Sequence, residues 1–330
     1  MGNEDVTPTP ATKALFPPLT ELGVKLGPAH LDRDDELRNT NEPLAITPEA
    51  YNPSWDLNVR AYPDTLAFML QMVLGTPTTA TGNGVITDTG GTVIPTGAYR
   101  HRWTAPFGPS GASPTTATMA VSYADQSEYF AVRGAAAETL SVETPEEGGA
   151  RLTCSGPATY ADNTSDPGLS PSYEALTILP FTRGGLSLTA NLAGAGTIED
   201  FTLSIANPVE TGRSLGIDSK WPDLMEKSSD GGPVVVSGTI PRRQLDSSDI
   251  DALMAATGFT LTARWVSDSI IASSYPYKAF VSCANAQFTD GEPQPLMNRR
   301  RHGADFSWKS TTTSSGSTTV EVVNATSSYA

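Results

Sequence analysis

From residue 99 onward, apolar and polar residues alternate in short runs separated by Gly, Pro, Asn and Ser. Period two is the signature of a half-buried strand. The runs predict strands at Tyr99–Ala105, Thr116–Ala124 and Tyr129–Val132. A hairpin follows: Leu140 and Val142 alternate, the chain turns over Pro145–Gly149, and Leu152 and Cys154 alternate back. The stretch 161–172 reads as a loop. Ala175–Leu188 is strand-like with a Gly184-Gly185 break, and Phe201, Leu203 and Ile205 alternate again. Val234–Ile240, Phe259–Val266, Tyr277–Phe288, Asp305–Trp308 and Val320–Val323 complete the predicted strands. Helical spacing is confined to two places. Asp56–Arg60 alternates and leads into an apolar run over Pro63–Leu74, where Pro63 suits the first turn, Asp64 the positive N-terminus and Gly75 the end. Ser248–Ala256 is the second helix, with Asp246, Ser247 and Ser248 as capping candidates.

Two stretches lack such order. Residues 1–55 carry eight prolines, among them Pro17, Pro18 and Pro28, and read as irregular apart from a short strand at Gly23–Leu26. Residues 76–98 are rich in Thr and Gly with almost no apolar anchor, which predicts a long hairpin or a flexible loop.

The order of elements repeats. Strand, helix, glycine and a Trp-bearing strand run over 56–75 and 99–105, and again over 234–266. Tyr129-Phe-Ala-Val-Arg-Gly-Ala-Ala then aligns without a gap with Tyr277-Lys-Ala-Phe-Val-Ser-Cys-Ala. Gly149-Ala-Arg-Leu-Thr-Cys parallels Gly303-Ala-Asp-Phe-Ser-Trp in its pattern of small, polar and apolar positions. The expected organisation is an arm over 1–22 and two β units, 23–175 (with the long loop 76–98) and 176–330.

Composition narrows the class. The 330 residues include 29 Gly and 26 Pro, and only 17% are charged, so turn chemistry and uncharged polar residues dominate. Together with the alternation, this predicts an all-β fold with minor α. With 21 Lys plus Arg against 36 Asp plus Glu, the net charge of −15 argues against a protein that grips nucleic-acid phosphates. No run reaches the length of a membrane span and the N-terminus has no apolar leader core, so a soluble protein made in a cytosol is expected. Cys154 and Cys283 lie in strand-like runs and read as buried free thiols. His30, His101 and His302 have no second ligand at metal spacing, and nucleophile, phosphate-loop and dinucleotide motifs are absent. We expect no enzyme activity, no catalytic residues, no metal and no cofactor.

At this point the residues resemble a known family. Trp55-Asp-Leu-Asn-Val-Arg-Ala-Tyr-Pro running into a helix that closes on Leu74-Gly75 resembles the tail tube (major tail) proteins of long-tailed bacteriophages. So does Thr197-Ile-Glu-Asp-Phe-Thr-Leu-Ser-Ile-Ala-Asn-Pro-Val-Glu, followed by Leu215-Gly216 and the strand Val234–Ile240. Val320-Glu-Val-Val-Asn is similar to that family's closing strand. The resemblance implies β-sandwich or barrel units, each with a flanking helix, whose inner strands join across subunits around a lumen. It implies a virion protein of the tail, assembled in the host cytoplasm into stacked rings of three or six chains. The implied partners are further copies of itself, tape-measure, terminator and distal tail proteins, and viral DNA passing through without specific binding, with no membrane partner.

Strand alternation assigns faces within that scheme. Ser141, Glu143, Thr153, Thr202, Ser204, Asp305 and Ser307 alternate with apolar neighbours and are the expected lumen-facing residues. Short hydroxyls and acids suit a wall that repels phosphates and lets DNA slide. Thr78, Gly84 and Thr89 of the long loop, and the basic tract Arg299, Arg300 and Arg301, are the expected contacts between rings. Competing readings are a distal tail or tube-terminator ring protein of related fold, and a carbohydrate-binding β-sandwich.

Overall fold

Local chemistry decides where the chain turns and where it extends, and the computed structural model follows it closely. It describes residues 14–16, 19–25, 28–31, 47–107, 114–122, 129–145, 147–164, 171–173, 178–190, 200–213, 220–222, 224–227, 233–242, 247–272, 274–294, 303–311 and 318–329. The chain opens with five strands, β1 (Ala14–Phe16), β2 (Leu19–Lys25), β3 (Pro28–Leu31), β4 (Thr47–Tyr51) and β5 (Ser54–Arg60). Helix α1 (Pro63–Leu74) follows, then β6 (Thr78–Thr81), β7 (Tyr99–Thr104), β8 (Thr116–Ser122), β9 (Tyr129–Ala136), β10 (Thr139–Thr144), β11 (Arg151–Pro157), β12 (Tyr160–Thr164) and β13 (Pro171–Tyr173). After it come β14 (Leu186–Ala190), β15 (Phe201–Ala206), β16 (Val209–Gly212), β17 (Leu224–Lys227) and β18 (Val235–Arg242). Helix α2 (Ser247–Met254), β19 (Phe259–Ala272), β20 (Tyr275–Gln294), β21 (Gly303–Ser310) and β22 (Thr318–Asn324) complete it. The fold is all-β with minor α, as the alternation predicts.

The N-terminal segment is a correction. Its described residues hold four strands before β5: β2 contains most of the one strand expected there, Gly23–Leu26, Pro28 opens β3 and Pro48 lies within β4. Among the described residues β2 pairs with β5 alone and forms an end of the main sheet, a position where missing or unpaired backbone donors are tolerated. The stretch 161–172 likewise holds part of β12, which pairs with β9. β20 runs past the predicted end at Phe288, through Gly291 and Pro293, because its two halves have different neighbours.

Helix α1 has Pro63 in its first turn, Asp64 beside it, and nine buried residues of its twelve. Gly75, at φ 85°, ends it, and its N–H closes on Gln71 O. Carbonyls at a helix end lack partners within the helix. Here Asn207 Nδ2 donates to Val73 O at 2.6 Å and Trp103 Nε1 to Gly75 O at 2.7 Å. At the other end Tyr329 OH donates to Asp64 Oδ1 at 2.9 Å. The helix is therefore tied at both ends to distant parts of the chain.

The main sheet runs β2-β5-β11-β10-β15-β18-β21-β20-β22-β7-β6, with β19 joined to β20 and β14 to β19. It carries strands from both sides of residue 175, and β2 crosses the expected arm boundary at residue 22. One pairing scheme occurs twice along it. β5 meets β11, which meets β10, and β18 meets β21, which meets the second half of β20. In a separate three-stranded sheet β8 and β12 flank β9, as β19 and β22 flank the first half of β20 in the main one. In this scheme β8, not the Trp103-bearing β7, holds the place of β19. β7 instead pairs with β22 and β6. One face of the sheet is the core: Phe201 lies between Trp265 and Trp308, with ring centroids 5.6 and 6.1 Å away, and Phe288 contacts Phe259 and Phe306.

Candidate functional site: a polar face across the sheet

Strand register turns separate sequence positions into rows. Asn58 lies opposite Thr153, Thr153 opposite Ser141, and Ser141 opposite Ser204. Ser204 faces Ser237, Ser237 faces Lys309 and Lys309 faces Gln287. The next row on the same face is Arg60, Arg151, Glu143, Thr202, Thr239, Ser307 and Asp290. Asp305 sits one step further, between Pro241 and Glu292. All seven residues expected to face a lumen thus occupy one contiguous face spanning the strands from β5 to β20. Glu143, Thr153 and Asp305 are exposed and the other four half-buried.

The opposite face explains why this one is available. Leu57, Leu140, Val142, Leu152, Cys154, Leu203, Ile205, Phe306 and Trp308 are all buried. A one-residue slip would exchange the two faces, so core burial fixes which side chains point away from it. Acids and bases on the outward rows are mixed. Asp56, Glu143, Asp290 and Asp305 share the face with Arg60, Arg151 and Lys309. The face is hydroxyl-rich and near charge balance, so the −15 of the whole chain is not concentrated on it.

Of the two forms expected for residues 76–98, the structure has the hairpin. It is a long hairpin, with β6 on β7 and a bridge from Thr87 to Val93, and it is firmly anchored. Asp88, 3% exposed, receives a 2.7 Å bond from Lys278 Nζ, a 2.6 Å bond from Tyr275 OH and a 2.8 Å bond from the Thr92 N–H. Burial opposes ionisation of Asp88, but these donors and the Lys278 charge hold its carboxyl below the usual carboxylate range. The same surroundings, burial first, push the Tyr275 phenol up. Glu321 is fully buried; it accepts from Thr89 N–H and Oγ1 at 2.9 and 3.0 Å, and Arg102 Nη2 lies 2.5 Å away. Ile94 fills a small satellite core with Tyr275 and Val323.

These anchors are what the sequence reading missed. The available signal was a lone charge inside an apolar strand, Lys278 in Tyr-Lys-Ala-Phe-Val and Glu321 in Val-Glu-Val-Val, since such a charge requires a partner when buried. Of the expected ring contacts, Thr78 is exposed on the sheet-end strand β6 and Gly84 is exposed at φ 77° beside the exposed Val85. Thr89 is bound to Glu321 within the chain. Arg299, Arg300 and Arg301 lie outside the described residues.

His101 is buried. Its Nε2 lies 2.8 Å from Thr326 O and its Nδ1 3.0 Å from Thr79 Oγ1, which fits a neutral ring donating from Nε2 and accepting at Nδ1. Burial pushes its pKa down and that of neighbouring Asp64 up. Cys154 and Cys283 are free and buried, and burial raises both thiols, Cys283 to about 11. Among the described residues no group of His, Cys, Asp and Glu could hold a metal ion, and no helix is long and apolar enough to cross a membrane.

The family described as Phage tail tube protein matches residues 4–310 of the chain. No curated protein matches it.

Proposed function

The chain belongs to the phage tail tube protein family, a structural component of the virion tail rather than an enzyme class, and from that premise we propose that its polar sheet face is the wall of the tube lumen. Membership implies self-assembly and association with other tail proteins. Rings of this chain stack into the conduit through which the genome leaves for the host. The supporting observation is the contiguous face running from Asn58 and Arg60 to Gln287 and Asp290.

Short hydroxyls present no cation to a phosphate; the bases are the adjacent pair Arg60 and Arg151, with Glu143 next to Arg151, and Lys309 beside Gln287. DNA then meets a wall that neither condenses on it nor strongly repels it. The chain is built of two tandem units, 23–175 and 176–330, and the twice-used pairing scheme supports that division. Three chains then supply six units to a ring closed by rotation. The exposed tip at Gly84 and Val85, with Thr78 on β6, is the surface available for the adjacent ring. Tape-measure, terminator and distal tail proteins are the partners at the ends of the stack.

Negative-stain electron microscopy of the purified full chain tests this. Long tubes of one width are the expected result. Single rings that do not stack would favour a terminator or distal tail ring, and a persistent monomer at high concentration would contradict both.

A further inference from the structure

The sheet contains the same four-strand series twice, β2-β5-β11-β10 and then β15-β18-β21-β20, and the registers correspond apart from one extra residue in β20, a bulge between Phe288 and Asp290. Glu21, Leu22, Gly23, Val24 and Lys25 meet Asn58, Leu57, Asp56, Trp55 and Ser54 of β5. Thr202, Leu203, Ser204, Ile205 and Ala206 meet Thr239, Gly238, Ser237, Val236 and Val235 of β18. The next steps agree: Leu57 and Val59 face Cys154 and Leu152, as Gly238 and Ile240 face Trp308 and Phe306. Leu140 and Val142 then face Cys154 and Leu152, as Phe288 and Gly291 face Trp308 and Phe306. β2 is thereby the counterpart of β15, with Leu22 and Val24 at the positions of Leu203 and Ile205.

The two series end differently. The outer edge of β10 is filled by β15, with Thr139 opposite Ala206, Leu140 opposite Ile205, Ser141 opposite Ser204 and Glu143 opposite Thr202. Among the described residues no strand pairs with the corresponding edge of β20 over Gln287–Gln294, or with the outer edge of β2. An open edge is a template for another strand. The helix beside it is also less covered. α2 is tied to β20 by Gln287 Nε2 donating to Ala256 O at 2.9 Å, yet Met254 is 81% exposed and Ile250 40%.

Resting on the tube reading above, we propose that β2 of one chain adds antiparallel to the open edge of β20 in a second copy, repeating the β10–β15 seam between chains. The transferred register puts Lys25 opposite Gln287, Gly23 opposite Asp290, Leu22 opposite Gly291 and Glu21 opposite Glu292. Each chain then donates one strand and accepts one, so the contact is head-to-tail and a ring closes with the edges of β2 and of β20 over Gln287–Gln294 both paired. The polar rows continue across it.

A cysteine pair at Lys25→Cys and Gln287→Cys tests the register in the full chain. Opposed strand residues have Cα atoms about 4.5–5.5 Å apart, within the span of a disulfide. The buried native thiols do not compete. After mild oxidation of assembled material with oxidised glutathione, non-reducing electrophoresis should show most chains linked to one another. The pair Lys25→Cys with Glu292→Cys, displaced by more than about 10 Å along the strand, should link few. Tubes that form normally while Lys25→Cys/Gln287→Cys stays monomeric overturn the seam and leave the tube reading standing, and better linkage by the displaced pair overturns the register. Failure of the wild-type chain to form rings at all removes the tube reading and the seam with it.

Discussion

The two strand series share register but differ in how they are finished. In the first, β10 is sealed by β15, and α1 is buried and tied by Asn207, Trp103 and Tyr329. In the second, no strand among the described residues pairs with one edge of β20 over Gln287–Gln294, and α2 is shorter and exposes Met254 and Ile250. The hairpin 76–98 of the first half also reaches over to hold β20 and β22 through Asp88 and Glu321. Under the proposed seam, one half is completed within the chain and the other by a second copy. The two series match in register while differing in how their ends are covered.

Substitutions on the two sides should separate these roles. The largest effect is expected at the hairpin anchor. Asp88→Ala leaves the 5%-exposed Lys278 without its carboxylate, and breaking a buried pair costs about 3–5 kcal/mol. Urea unfolding should show that loss, and Asp88→Leu with Lys278→Met should recover much of it. Next is the sealed seam, where Ile205→Ala removes a fully buried side chain on β15 at a cost of about 3 kcal/mol. On the open side Met254→Ser should change monomer stability by no more than about 0.5 kcal/mol yet weaken assembly, as read by sedimentation. Equal stability losses at Ile205 and Met254 would erase the contrast.

The smallest effect concerns pH. Burial holds the folded pKa of His101 below its ordinary value, so the unfolded chain takes up the proton first as pH falls below about 6.5. Stability from His101 is therefore present above that value and lost beneath it. Asp64, whose pKa is raised, works in the opposite sense, gaining as pH falls through its elevated value. Thermal melts between pH 7.5 and 5.5 should show a decline that His101→Gln flattens; an unchanged slope would mean that His101 contributes none of it.

Much of this was legible in the sequence because a strand with one buried face must alternate. Leu140, Val142, Leu152, Cys154, Leu203 and Ile205 point to the core, and their neighbours therefore form the polar rows. Pro63, Asp64 and Gly75 mark α1 by purely local rules. The anchors of the hairpin were not legible, since Asp88 finds Lys278 and Thr89 finds Glu321 across most of the chain. In the N-terminal segment only part of β2 was legible, as the strand expected at Gly23–Leu26; its full extent follows from its match to β5. The shared register of β2 and β15 emerges only once both pairings are known.

The central claim is that the polar face lines a lumen. A reconstruction of assembled tubes by electron cryo-microscopy tests it most directly. The account predicts Ser141, Thr153, Ser204 and Ser307 at the bore, with α1 and α2 outside the sheet. Those four residues on the outer surface of the tube, with the helices turned inward, would contradict it.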